Sequence, residues 1–297
     1  MGRDAIPGFE KGRAEVNGQG IAYSRAGRGA PVLLLHGFPQ TRAMWRALAP
    51  ELARDYTVIA ADLRGYGDST LPRGTEAMRF RDMAADQAAL MTALDFERFH
   101  LVGHDRGART GHRLALDHGE RLLSLTLMDI VPTRHLLTHL THEVAAAYYH
   151  WFFLAQPSPF PETMIAADPD AYFERCLLGF GKASLSDFAP EALESYRASW
   201  RRPECIAAMC ADYRAALSLD LADDTDDAQA KVHCPALVLY GAEGAMARHY
   251  DVPATWRDRL ARMQARAIPG GHFFIEQSPD ATLAALRDFL DGIDAAG

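Results

Sequence analysis

Phe99-His100-Leu101-Val102-Gly103-His104-Asp105-Arg106-Gly107-Ala108-Arg109 is the stretch that decides how this chain is read. The apolar run Phe99 to Val102 predicts a buried strand ending at Gly103, and the pattern from Thr110 to Leu116 predicts a helix. Between them lies a Gly-x-Asp-x-Gly motif. The two glycines permit a tight strand-to-helix turn, which lifts the side chain between them above a sheet edge. A serine in such a turn performs acyl transfer. Aspartate changes the reaction: a carboxylate displaces a leaving group from an sp³ carbon, forming an alkyl ester that water then cleaves at its carbonyl. An aspartate before a helix also serves as an ordinary N-cap, so the rest of the chain has to decide between the two roles.

Working outward, four more apolar runs predict strands: Val32 to Leu35 before His36-Gly37, Tyr56 to Ala61 before Asp62, Leu123 to Met128 before Asp129, and Ala236 to Tyr240 before Gly241. Helical patterns such as Met83 to Leu94 separate them, and Asn17-Gly18 reads as a hairpin turn. Fully apolar strands alternating with helices predict a mostly parallel sheet with helices on both faces. Ligands of such sheets bind beyond the carboxyl ends of the strands. His36, Asp62, Asp105 and Asp129 stand at those ends. From about Pro132 to Asp220 the alternation stops, and the stretch is rich in aromatics, as in Tyr148-Tyr149-His150-Trp151-Phe152-Phe153. This predicts an inserted helical cap at 132–221, between core segments 1–131 and 222–297.

Composition excludes other classes. The 297 residues are 48% hydrophobic and 24% charged, which rules out intrinsic disorder. A net charge of −8 and a pI near 5.8 oppose a nucleic-acid-binding surface, though local arginines still suffice for a small anion. The opening residues lack the apolar core of a signal peptide, Ile6 stands where myristoylation needs Ser or Thr, and no apolar run is long enough for a membrane span. Cys176, Cys205, Cys210 and Cys234 form no CxxC pair and read as free thiols. A cytoplasmic protein is expected.

Attack by Asp105 requires partners. His272, in Gly270-Gly271-His272-Phe273-Phe274, follows the short run Ala265 to Ile268 and precedes the last helix, where a general base belongs in the order nucleophile, acid, histidine. Asp129 is the favoured acid to orient it, with Glu243 as its rival. The backbone amides of Phe38 and Arg106 are candidates for an oxyanion hole, while Pro39 has no N–H. Arg106 and Arg109, three residues apart, share a helix face and fit bidentate capture of a substrate carboxylate; a structural ion pair with Asp105 or Asp129 is the plainer role. His135, His139 and His142 recur at helical spacing, which suits a solvated face as well as a metal, and no metal is expected.

These motifs together resemble the fluoroacetate (haloacetate) dehalogenases of the α/β-hydrolase superfamily. The resemblance spans nearly the whole chain. It is carried by Leu34-Leu35-His36-Gly37-Phe38-Pro39-Gln40-Thr41, Asp62-Leu63-Arg64-Gly65-Tyr66-Gly67, Gly103 to Arg109, Met128-Asp129-Ile130-Val131-Pro132-Thr133 and Tyr149 to Pro157. It implies Asp105 as nucleophile, His272 as base, Asp129 as its acid, and Arg106 and Arg109 as the carboxylate clamp. It also implies a halide pocket of His150, Trp151 and the Tyr213 of Cys210-Ala211-Asp212-Tyr213-Arg214. Haloalkane dehalogenases and epoxide hydrolases often place Trp after the nucleophile; Arg106 stands here instead and favours an acid substrate. The implied protein is a homodimer acting on a short 2-haloacid without metal or organic cofactor. The alternative is an epoxide hydrolase using the same Asp and His, with Tyr213 and Tyr148 or Tyr149 protonating the epoxide. A non-catalytic binding protein on the same scaffold is a third possibility.

Overall fold

The fold is described from a computed structural model covering residues 6–178 and 183–295. Residues 1–5, which include the Gly2 read for acylation, lie outside the described residues, as do 179–182 within the expected cap and 296–297.

The chain opens with the expected hairpin. β1 (Glu10–Val16) and β2 (Gln19–Ala26) pair with Val16 opposite Gln19, so the loop is two residues long. Asn17 and Gly18 adopt φ of 50° and 73°, the left-handed pair of a type I′ turn. The strands β3 (Pro31–Leu35), β4 (Thr57–Ala61), β5 (Phe99–His104), β6 (Leu122–Met128), β7 (Ala236–Gly241) and β8 (Met263–Ile268) complete one sheet. Its order is β1-β2-β4-β3-β5-β6-β7-β8; β1–β2 and β2–β4 are antiparallel and the remaining pairs parallel.

The continuous apolar runs are explained by two-sided burial. Leu33, Leu34, Val58, Ile59, Leu101 and Val102 are all fully buried, and each contributes about 1.5–3 kcal/mol by leaving water. The helix Arg106–Asp117 packs on β5, β6 and the helix Phe80–Ala93. Both helices begin earlier than the apolar pattern predicts, because Arg81 and Asp82 in one first turn and Arg106 and Arg109 in the other interrupt that pattern. The register sets Leu35 beside Gly103, His104 beside Met128, and Met128 beside Leu239. The residues that follow β3, β5 and β6 therefore emerge side by side at one edge.

From Thr133 to Asp226 the described residues form helices and turns without a strand. The expected boundary at 221 falls inside the helix Leu219–Asp226. The three-histidine face is overturned. One helix stops at Thr138 and another starts at His142, so the three histidines do not share a helix. His135 and His139 stack with centroids 4.2 Å apart, and His142 pairs with Glu143. The four cysteines are free thiols. Among the described residues no helix is long and apolar enough to cross a membrane.

Candidate active site

Close backbone packing explains the glycines around Asp105. A Cβ on Gly103 would lie 2.5 Å from the carbonyl oxygen of Gly107, and one on Gly107 would lie 2.5 Å from the carbonyl oxygens of Leu35 and His36. Asp105 itself sits at φ 47°, ψ −113°, a strained conformation for a residue with a Cβ. Its N–H donates to Met128 O at 3.2 Å, and its carbonyl accepts from Arg109 N at 3.0 Å. The turn is thereby tied to β6 and to its own helix.

The Phe38 N–H donates to Asp105 Oδ1 at 2.9 Å. Gly37 makes this approach possible, since a Cβ there would meet Asp105 Cβ at 2.5 Å. Arg106 opens the helix, where backbone N–H groups have no intrahelical acceptor. On the other side, His272 Nε2 lies 4.0 Å from Asp105 Oδ2. His272 Nδ1 hydrogen-bonds Asp129 Oδ2 at 2.7 Å. Asp129, at φ 51°, is fixed by Gly241 N donating to its Oδ1 at 2.9 Å. Glu243, the rival acid, is exposed.

Electrostatics separates these groups. Burial pushes the Asp105 carboxyl up, but His272, His104, Arg106 and Arg109 outweigh it and bring the pKa down to about 2. Burial pushes His272 down, but its hydrogen bond and charge pairing with Asp129, together with Asp105, raise it above the ordinary histidine value. His104, whose ring centroid lies 4.6 Å from that of His272, is driven by burial down to about 3 and is neutral. Its Nε2 donates to His272 O at 2.9 Å and braces that loop.

The arginines require a correction. Arg106 does not offer a free fork. Its Nε donates to Asp212 Oδ2 at 2.9 Å, and its Nη2 donates to Asp212 Oδ1 and, at 3.0 Å, to the Asp212 carbonyl. The ion pair is real, but its partner is neither Asp105 nor Asp129. Spacing shows which face a side chain occupies; it does not show what the inserted helices bring to cover it. Arg109 Nη1 donates to Val131 O (3.1 Å) and Thr133 Oγ1 (2.9 Å). Arg106 Nη1 and Arg109 Nε are buried without a hydrogen-bond partner.

Aromatic groups line the same region. The Arg106 guanidinium lies 4.5 Å from the Tyr213 ring and 5.5 Å from Trp151, and that of Arg109 lies 4.8 Å from Trp151. Phe38 stacks on His150 at 5.6 Å, and Tyr213 meets His150 and Trp151 edge-on, each at 5.5 Å. The Tyr213 hydroxyl is buried and unpartnered. Burial holds His150 neutral, at about 3. Of the two further tyrosines, Tyr148 is buried and Tyr149 is 45% exposed.

His36 and Asp62 leave the site. His36 Nδ1 donates to Gly37 O (2.9 Å) and its Nε2 accepts from Leu63 N (3.1 Å). Asp62 accepts from the Arg42 side chain and from the amides of Arg42 (2.7 Å) and Asp68 (2.9 Å). Both residues therefore brace loops. Asp212, Tyr66 and His104 went unread in the sequence. For Asp212 a signal existed: it is a lone carboxylate ending the apolar run Cys205 to Ala211, and a charge in such a run needs a buried partner.

The comparisons agree with this architecture. The chain belongs to the α/β-hydrolase fold family, whose model matches residues 30–279. Within that family it is 49% identical, over 95% of its length and 94% of the relative's, to a fluoroacetate dehalogenase from Burkholderia sp. A soluble epoxide hydrolase from Corynebacterium sp. (strain C12) is 29% identical over 94% of this chain and 96% of its own. The solved structure of a provisionally assigned α/β hydrolase from Nostoc sp PCC 7120 superposes with a TM-score of 0.93 at 46% identity, covering 95% and 98% of the two chains.

Proposed function

We propose that this hydrolase cleaves the carbon–halogen bond of short 2-haloacids, converting fluoroacetate or another haloacetate to glycolate and halide. The observation that carries the reading is the Asp105 carboxylate at the elbow, hydrogen-bonded by the Phe38 amide, facing His272 and beside two buried arginines. Asp105 Oδ2 attacks the halogen-bearing carbon in line. The C–X bond breaks, halide leaves with its electron pair, and an Asp105 ester forms. His272 Nε2, with Nδ1–H held on Asp129, then takes a proton from water as that water attacks the ester carbonyl. Negative charge develops on Oδ1, where the Phe38 N–H, and the Arg106 N–H with it, stabilise it. The Cγ–Oδ2 bond breaks, and the departing alkoxide takes the proton back from His272 and leaves as hydroxyacid with Oδ2 as its hydroxyl oxygen. The new Asp105 carboxyl gives up its proton to solvent, restoring the carboxylate.

Arg106 and Arg109 bind the substrate carboxylate, and neutral donors on His150, Trp151 and Tyr213 stabilise the departing halide. The helices between β6 and β7 act as the cap that shuts this site from water. The chemistry uses neither metal nor organic cofactor. A cytoplasmic homodimer completes the proposal, supported by the family resemblance.

Halide release from fluoroacetate and chloroacetate, read with ion-selective electrodes beside an Asp105→Asn control, tests the reading. Fluoride release abolished in the variant is the expected result. Chloride alone would keep the mechanism and remove fluoride from the substrate range. No halide from either acid would overturn the haloacid reading, and the buried Tyr148 and Tyr213 would make epoxides the next substrates to try.

A further inference from the structure

Arg106 is committed before any substrate arrives. Two of its three nitrogens, Nε and Nη2, lie on Asp212, and only Nη1 remains, buried and without a hydrogen-bond partner. Arg106 and Asp212 are both fully buried, yet they are 106 residues apart, on the elbow helix and on the helix Pro203–Leu217. Asp212 is itself held by the Tyr66 hydroxyl, which donates to its Oδ2 at 2.6 Å. A buried carboxylate with charge-assisted bonds on both oxygens is a rigid anchor. Arg109 is anchored differently, through Nη1, and keeps Nε unpartnered. Each arginine thus retains a buried donor nitrogen with nothing to bond. In this cluster Asp105 and Asp212 balance Arg106 and Arg109 in formal charge.

We propose that Asp212 is a positioning residue that sets the carboxylate specificity of the site. It holds Arg106 away from Asp105 and leaves Nη1 to share a substrate carboxylate with Arg109. The proposal rests on the haloacid reading above. Without Asp212, the carboxylates left that feel the Arg106 charge are the nucleophile Asp105 and the buried Asp220, whose Oδ2 has no hydrogen-bond partner. Drawn to either, Arg106 no longer shares the substrate carboxylate with Arg109, and drawn to Asp105 it also ties up the nucleophile. Because Tyr213 follows Asp212 on the same helix, the anchor also fixes one wall of the proposed halide pocket.

Chloroacetate and chloroacetamide share a leaving group and differ in charge, so the ratio of their kcat/KM values isolates carboxylate recognition from chemistry. The ratio is expected to fall at least tenfold in Asp212→Asn, chiefly through KM of the acid. Asp212→Glu should partly restore it. Tyr66→Phe, which removes a single donor from Asp212, should give a smaller fall in the same direction and carries the test if Asp212→Asn does not fold. A merely structural role would lower both substrates together and leave the ratio unchanged. An unchanged or raised ratio in the folded variants overturns the role of Asp212 while the haloacid reading stands. A wild-type protein that releases halide from neither haloacetate overturns that reading and this proposal with it.

Discussion

In the proposed mechanism His272 serves the second half-reaction only, because the Asp105 ester would form without a base. Replacing it with Gln should let each active site release one halide and then stop. Turnover should drop by a factor on the order of 10²–10⁴, and the protein should gain the mass of a carboxymethyl group esterified to Asp105. Rapid-quench halide measurement and intact-protein mass spectrometry check this; steady turnover in the variant would remove His272 from the base role. That Asp105, Asp129 and His272 would stand together was legible in the sequence. Asp105 lies in a motif whose glycines have a steric cause, and Asp129 and His272 each follow a strand at the expected place in chain order. Their mutual distances, and the exposure of Glu243, were not legible. The counter-ion of Arg106 was not legible for a physical reason: it comes from a helix more than a hundred residues away, and no local spacing encodes that pairing.

At the scale of elements, the inserted helices meet the core through more than the Arg106–Asp212 pair. Tyr196, on the helix Pro190–Trp200, donates to Glu276 Oε1 at 2.8 Å, and the Gln40 amide lies against Glu276 Oε2. Gln40 Oε1 is buried without a hydrogen-bond partner; with its amide turned over it would accept a hydrogen bond from the protonated Glu276 carboxyl. Desolvation beneath these groups pushes Glu276 up from 4.5 to about 8, so it is neutral at pH 7. The folded state therefore binds a proton that the unfolded chain has released, and stability falls as pH rises from about 4.5 to about 8. Glu276→Gln should flatten this part of the profile, seen as a smaller difference between urea midpoints at pH 5 and pH 8. An unchanged difference would remove Glu276 as its source. Elements were the most legible level of the fold. Central strands buried on both faces must be continuously apolar, so they stand out. β8 does not, because Gln264 through Ala267 are exposed.

For the whole molecule, composition gave class and charge but not shape. A chain with net charge −8 keeps Asp105, Asp129, Asp212, Arg106 and Arg109 buried together in its candidate site, and that contrast arises only when distant segments meet. The sheet order carries a further consequence. Its two outer strands are β1 and β8, and neither is a smooth apolar ribbon. β1 carries Glu10, Lys11, Arg13 and Glu15, with the Arg13 and Glu15 side chains 47% and 73% exposed, while β8 carries exposed Arg266. Another chain docking there to extend the ladder would have to desolvate these charges. Arg13→Val combined with Glu15→Val should thus produce concentration-dependent light scattering at a temperature where the parent stays clear, and silence in that assay would refute the idea. The charged rims work as guards against fibril-like stacking, a protection that the buried chemistry neither needs nor supplies.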